Sequence, residues 1–228
     1  MFTFLTNIRL MNEIQKPKSG DDSAMSLQPW EYLRQFEKQT TLDLDGLIQV
    51  YREHWRDESW HEVLCLMAGM LDAKFIGKIL EYLIGEDGEA EGFSNLFLAA
   101  RCLDEVKNRN DIADVAGQLC DEVKKLARYR NITNTTSRLY EPLVNQIRTK
   151  AVAAVAKTWK DDPETLPWLQ QCARKDDNWD VQIVVVQELA RGWKDNPETL
   201  TILKKCAQSK NALAPTMIGV CEVQQYKN

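Results

Sequence analysis

His61-Glu-Val-Leu-Cys65 has the outline of a zinc helix, H-E-x-x-H, with cysteine in the last place. Residues at i and i+4 share one helix face and can reach one metal ion. No third ligand accompanies them, and Cys65 sits among Leu64, Leu66 and Met67, so the expectation is a packed cysteine. His54 and His61 are seven apart and can share a face, but two histidines alone do not complete a site. Cys172 and Cys206 could serve as thiol nucleophiles only with exposure and a basic neighbour. Asp161, Asp162, Asp176, Asp177 and Asp180 offer carboxylates, yet most precede helices, where they cap backbone N–H groups and complement the helix dipole. Gly69-Met-Leu-Asp-Ala-Lys-Phe-Ile-Gly77-Lys78-Ile79 is the nearest text to a phosphate loop. Its glycines are too far apart and no hydroxyl follows the lysine, so it cannot wrap phosphate and ligate magnesium. The sequence therefore predicts no catalytic, cofactor-binding or metal-ligating residue, and a protein that is not an enzyme and needs no cofactor.

The elements carrying these residues are helices. Trp159-Lys-Asp-Asp-Pro-Glu-Thr-Leu166 returns 34 positions later as Trp193-Lys-Asp-Asn-Pro-Glu-Thr-Leu200. The same offset maps Ala156 on Ala190, Leu169 on Leu203, Cys172 on Cys206 and Ala173 on Ala207. A fixed period of this size is the signature of stacked supersecondary units. Within each unit a helix ends near the tryptophan. Asp162 or Asn196 then caps a short helix that starts at Pro163 or Pro197 and runs to Ala173 or Ala207. Asp177 or Asn178 caps the next helix, Trp179–Arg191. Recurrence of Cys172 and Cys206 at equivalent positions argues for packing. Trp159 and Trp193 are expected to plug gaps between units. Trp168, replaced by Ile202 in the next copy, is free to face the surface.

Upstream, residues 30–130 read as a block of five or six helices. One carries Leu42, Leu44, Leu47, Ile48, Tyr51 and Trp55 on one face. A capping box at Ser59 and Glu62 opens the next. Gly85-Glu-Asp-Gly88 breaks the pattern, Ser94 starts a helix, and Asn110 or Asp111 starts another. The polar stretches 16–23 and 131–137 read as linkers. They delimit an irregular segment (1–29), a helical domain (30–130) and repeats (138–228), with a hinge expected at 131–137. After Ala207 the repeat decays: Pro215 stands where Val181 did and Gly219 where Val185 did. A ragged final helix, or one covered by a partner, is expected there.

Composition excludes several classes. A net charge of −5 on 228 residues lacks the basic footprint of nucleic-acid binding. No run of 18 apolar residues occurs. Residues 2–10 are apolar but short, and lack the flanks of a secretory signal. Six scattered cysteines without a C-x-x-C pair fit reduced thiols in a cytoplasmic protein better than a disulfide framework.

The repeat type follows from comparison of patterns. Aligned from Trp168, a tetratricopeptide unit would need Gly at Cys172 and Ala at Val184, and the second copy has Cys206 and Ile218. The ankyrin phrase is missing as well. Val181–Trp193 and Ile147–Trp159 instead resemble the second helix of compact HEAT-like repeats. Arg148 matches the arginine of that pattern and Gln182 departs from it. Leu47–Leu64, Ala68–Leu71 and Leu96–Val106 resemble the helical segment that follows the NTPase core of bacterial, especially cyanobacterial, NACHT-type signalling proteins. The resemblance covers roughly residues 30–210. It implies an all-α protein, an α-α superhelix of HEAT-like repeats preceded by a helical bundle. It further implies a protein-interaction or sensor module without its own motor, with an NTPase subunit or a second copy as partner. A fragment, a split gene and a free-standing adaptor all fit. Compact HEAT-like repeats also occur in bilin lyases, and the alternative reading is a HEAT-repeat bilin lyase or chaperone acting on light-harvesting proteins.

Overall fold

The computed structural model describes residues 44–130 and 141–208, with side chains up to Lys205. Segments 1–29, 16–23 and 131–137, Trp30, the side chain of Cys206, and the decayed repeat from 209 with Cys221 lie outside the described residues. The described chain forms nine α-helices and no strand. It divides into two compact units, Met1–Arg52 and Glu53–Asn228.

The first unit holds most of α1 (Leu44–His54), whose Leu47 and Tyr51 are buried and spaced i, i+4. Asp45 lies in its first turn, where a carboxylate complements the helix dipole.

The second unit takes in the last residues of α1, and a short 3-10 turn, Glu58–Trp60, then leads into α2 (His61–Met70). The capping box expected at Ser59 and Glu62 does not form. Asp57, two residues earlier, accepts from both the Ser59 N–H (3.0 Å) and its hydroxyl (2.7 Å), and no side chain caps the start of α2. Glu62 instead accepts from Arg101 Nη2 at 2.9 Å. α3 (Ala73–Gly85) buries Ile76, Ile79, Leu80 and Leu83 at helical spacing. Its C-terminal carbonyls are satisfied by Asn95, whose Nδ2 donates to Leu83 O and Glu86 O, both at 2.8 Å. Gly88 makes room for that side chain: a Cβ there would fall 1.8 Å from Asn95 Oδ1. Gly92 and Phe93 are both left-handed (φ 61 and 62), a conformation that costs a bulky residue about 1–2 kcal/mol.

α4 (Ser94–Asp104) starts at the expected serine. A 3-10 turn at Arg109–Ile112 displaces the next start, so α5 runs Ala113–Leu126 rather than from Asn110 or Asp111. α6 (Glu141–Thr158), α7 (Thr165–Lys175), α8 (Trp179–Gly192) and α9 (Pro197–Gln208) follow. α9 begins at its proline as expected. Its copy α7 begins two residues later than expected, at Thr165.

Packing follows chain order. α2 packs on α4, α3 on α4 and α5, α4 on α5 and α6, and α5 on α6. α6 packs on α7 and α8, α7 on α8 and α9, and α8 on α9. The hinge expected at 131–137 thus falls between helices, α5 and α6, that pack directly and belong to one compact unit. Trp55, Leu64, Leu98, Leu103, Leu119, Leu169 and Leu189 are fully buried. Each such side chain contributes about 1.5–3 kcal/mol. The ion pairs Lys78–Glu81 and Lys125–Glu122 are exposed, so water and salt screen them. Apolar burial therefore holds the helices together.

Candidate functional site

The repeated phrase folds twice in the same way. The Trp159 N–H donates to Val155 O (3.1 Å) and the Asp162 N–H to Trp159 O (3.1 Å). In the second copy the Trp193 N–H donates to Leu189 O (2.9 Å) and the Asn196 N–H to Trp193 O (3.1 Å). Asp162 Oδ1 accepts from the Glu164 N–H at 2.8 Å. Asn196 Oδ1 accepts from the Glu198 N–H at 3.0 Å and the Thr199 N–H at 3.1 Å. Asn196 thus takes two N–H groups where Asp162 takes one, and α9 starts at Pro197 where α7 starts at Thr165. Thr165 and Thr199, the equivalent threonines, are fully buried with hydroxyls that have no partner among the described residues. The copies also touch: Gln170 Nε2 donates to Asn196 Oδ1 at 3.4 Å, and Arg174 pairs with Glu198.

Between the repeats and the block before them lies a buried ion pair. Arg148 Nε donates to Ala127 O (3.0 Å) and Nη2 to Asp176 Oδ1 (2.7 Å), with both side chains over nine-tenths buried. The same Oδ1 accepts from the Asn178 N–H at 2.9 Å. Gln182, the repeat equivalent of Arg148, donates to the Asp176 carbonyl at 2.6 Å. Arg148 thus reaches forward to the Asp176 carboxylate, and Gln182 reaches back to the carbonyl of the same residue. Asn178 caps α8 through the Val181 N–H (3.1 Å), as expected, and its Nδ2 donates to Asn145 Oδ1 (2.7 Å). A second cross-link joins the end of α4 to the end of α6. Arg109 donates to Thr158 O (2.6 Å) and to Asp104 Oδ1 (3.1 Å), while Lys157 Nζ lies 3.1 Å from Asp104 Oδ2.

Above this cross-link, α4 and α6 enclose a groove of about 430 Å³. Phe97, Leu98, Ala100, Ala153 and Ala154 supply its apolar lining. Glu58 and Glu91 bring negative charge to it, and Arg101, Lys150 and Lys157 positive charge. The left-handed Gly92 lies at its edge. Sequence reading missed this groove. Its walls come from stretches near 58–61, 91–104 and 150–158, which the packing of α2 and α6 on α4 brings together.

The residues singled out for chemistry are placed otherwise. His61 is buried, with Nε2 2.8 Å from Trp55 O. A carbonyl only accepts, so Nε2 carries the proton and is committed as a donor. His54 stacks on Trp60 with ring centroids 3.8 Å apart. Cys65 is buried and faces Cys102, not His61. Cys172 is buried, and loss of solvation pushes its thiol up to about 11, far from a thiolate nucleophile at neutral pH. Asp176 and Asp162 take part in turns and caps, Asp177 pairs with Arg130 (3.0 Å), Asp180 accepts from Asn145 (3.0 Å), and Asp161 is exposed. Gly69 and Gly77 lie inside α2 and α3. Their Cβ positions approach Glu105 Cβ (3.2 Å) and Ile112 Cγ2 (3.0 Å), so these glycines serve close helix packing. Trp159 is buried and Trp193 half-buried. Trp168 is half-buried under Lys124, whose Nζ is 5.9 Å from the ring centre.

No protein-family model matches the chain, and no curated protein and no solved structure gives a significant match. Among the described residues, no helix is long and apolar enough to cross a membrane.

Proposed function

We propose that the chain is a non-enzymatic, protein-binding scaffold built as an α-solenoid of HEAT-like units, a sensor or interaction module of a NACHT-type signalling system. The observation that carries this reading is the repeated helix–turn–helix with its twice-formed Trp-to-Asp/Asn turn, in a unit whose helices pack on those one or two places along. Neighbour-only packing of repeats is the hallmark of solenoids, which present extended surfaces to other proteins. The groove between α4 and α6 is the proposed contact region. Its apolar lining and charges of both signs suit a polypeptide segment with an apolar centre and a polar rim. Other candidate chemical groups support the same reading: His61, Cys172 and Asp176 are engaged in packing or structural bonds.

The test is calorimetric titration of the purified full chain with ATP and with GTP in the presence of magnesium. The expected result is no saturable heat and no hydrolysis. Stoichiometric binding of either nucleotide would overturn the reading of a module without its own motor.

A further inference from the structure

Cys65 lies on α2 and Cys102 on α4, two helices that pack together. Their sulfurs are 4.0 Å apart, with the Cys102 S–H directed at the Cys65 sulfur. Sulfurs in a disulfide sit about 2.05 Å apart, so the pair needs an approach of about 2 Å. The helices are already close at this crossing, where the Gly69 Cβ position lies 3.2 Å from Glu105 Cβ. A bond here would therefore pin an existing contact.

We propose that Cys65 and Cys102 form an oxidisable dithiol, a modification site that a hydroperoxide converts into a disulfide joining α2 to α4. Cys65 reacts first. It retains 4% exposure against 0% for Cys102. The hydrogen bond from Cys102 holds its thiol below the ordinary value, with help from the Arg101 guanidinium and against burial and the Glu62 and Glu105 carboxylates. Its thiolate attacks one peroxide oxygen: an S–O bond forms, the O–O bond breaks, and the departing oxygen takes a proton and leaves as water or alcohol. The product is a sulfenic acid at Cys65. The Cys102 sulfur then attacks Cys65, losing its proton. The S–S bond forms, the S–O bond breaks, and the departing hydroxide takes a proton to leave as water. Two thiols and one hydroperoxide thus give one disulfide, with two electrons passing from sulfur to the peroxide oxygens. The bond fixes α2, whose outer face shows Leu66 and Met70 exposed at 53% and 37%. The proposal is independent of the function proposed above.

The test treats reduced, folded full-length protein with hydrogen peroxide, blocks the remaining thiols by alkylation, and maps the digest by mass spectrometry. The expected result is a cross-linked peptide pair containing Cys65 and Cys102. With it should come a rise in thermal midpoint of roughly 5 °C, reversed by dithiothreitol. Both effects should vanish in Cys102→Ser. Should that variant fail to fold, the wild-type peptide map decides alone. Recovery of Cys65 and Cys102 as alkylated free thiols, or of Cys65 as sulfinic acid without cross-link, would overturn the proposal.

Discussion

Arg148 is a side chain whose loss carries a large single-residue effect. It reaches a backbone carbonyl of the preceding block and a carboxylate of the first repeat loop, and both partners of the ion pair are buried. Removing one partner of such a pair leaves a buried charge without compensation, which costs about 3–5 kcal/mol. Arg148→Met should lower stability by that amount in urea unfolding. Adding Asp176→Asn, which removes the stranded charge and keeps an acceptor for the Asn178 N–H, should recover part of the loss. No recovery would mean that Arg148 acts through packing alone. Tyr129 gives a pH signature. Burial, together with its 2.5 Å hydrogen bond to Glu89, pushes its phenol from 10 to about 12. The folded state therefore holds this proton more tightly than the unfolded chain does. Its contribution is full below pH 10 and is lost as the pH rises from 10 towards 12. The phenolate absorbance of the folded protein should still be climbing near pH 12, and Tyr129→Phe should abolish that late component. A titration finished well below this pH would contradict the assignment.

At the scale of elements, the caps were the most legible features, because a capping oxygen acts within two or three residues of itself. Asn178 and Asn196 were readable as helix starts for that reason, and both accept the backbone N–H groups expected of them. Asn178→Ala and Asn196→Ala should each cost about 1 kcal/mol, measured by chemical denaturation. A loss below about 0.3 kcal/mol at both sites would show that packing, not capping, sets these helix ends. Ser59 shows where local reading stops. Its spacing to Glu62 fits a capping box, but Asp57 captures the serine hydroxyl and Arg101, 39 residues on, captures the glutamate. The helix starting at Ser94 was legible. The Asn95 bond to the carbonyls of α3 was not, because its partners lie nine and twelve residues back across a glycine turn. The period of 34 told which residues are equivalent, but not that Arg148 bonds forward to the Asp176 carboxylate while Gln182 bonds back to the Asp176 carbonyl.

At the scale of the molecule, the helical class and the repeat were legible, since they rest on apolar periodicity and self-similarity. The boundary expected near 131–137 was drawn from polar composition. Composition does not register that α5 and α6, on either side, pack together and are joined by the Arg148–Ala127 bond. The groove was not legible either, since its two walls belong to those separately read blocks. This groove is proposed to receive a protein partner. The most direct measurement places a photoreactive amino acid at Ala154 in the groove and, as control, at the exposed Gln118 of α5, in the cells that make the protein. After illumination, the account predicts one discrete covalent adduct with another polypeptide from Ala154 and none from Gln118. No adduct at Ala154, or the same adducts at both positions, would contradict it.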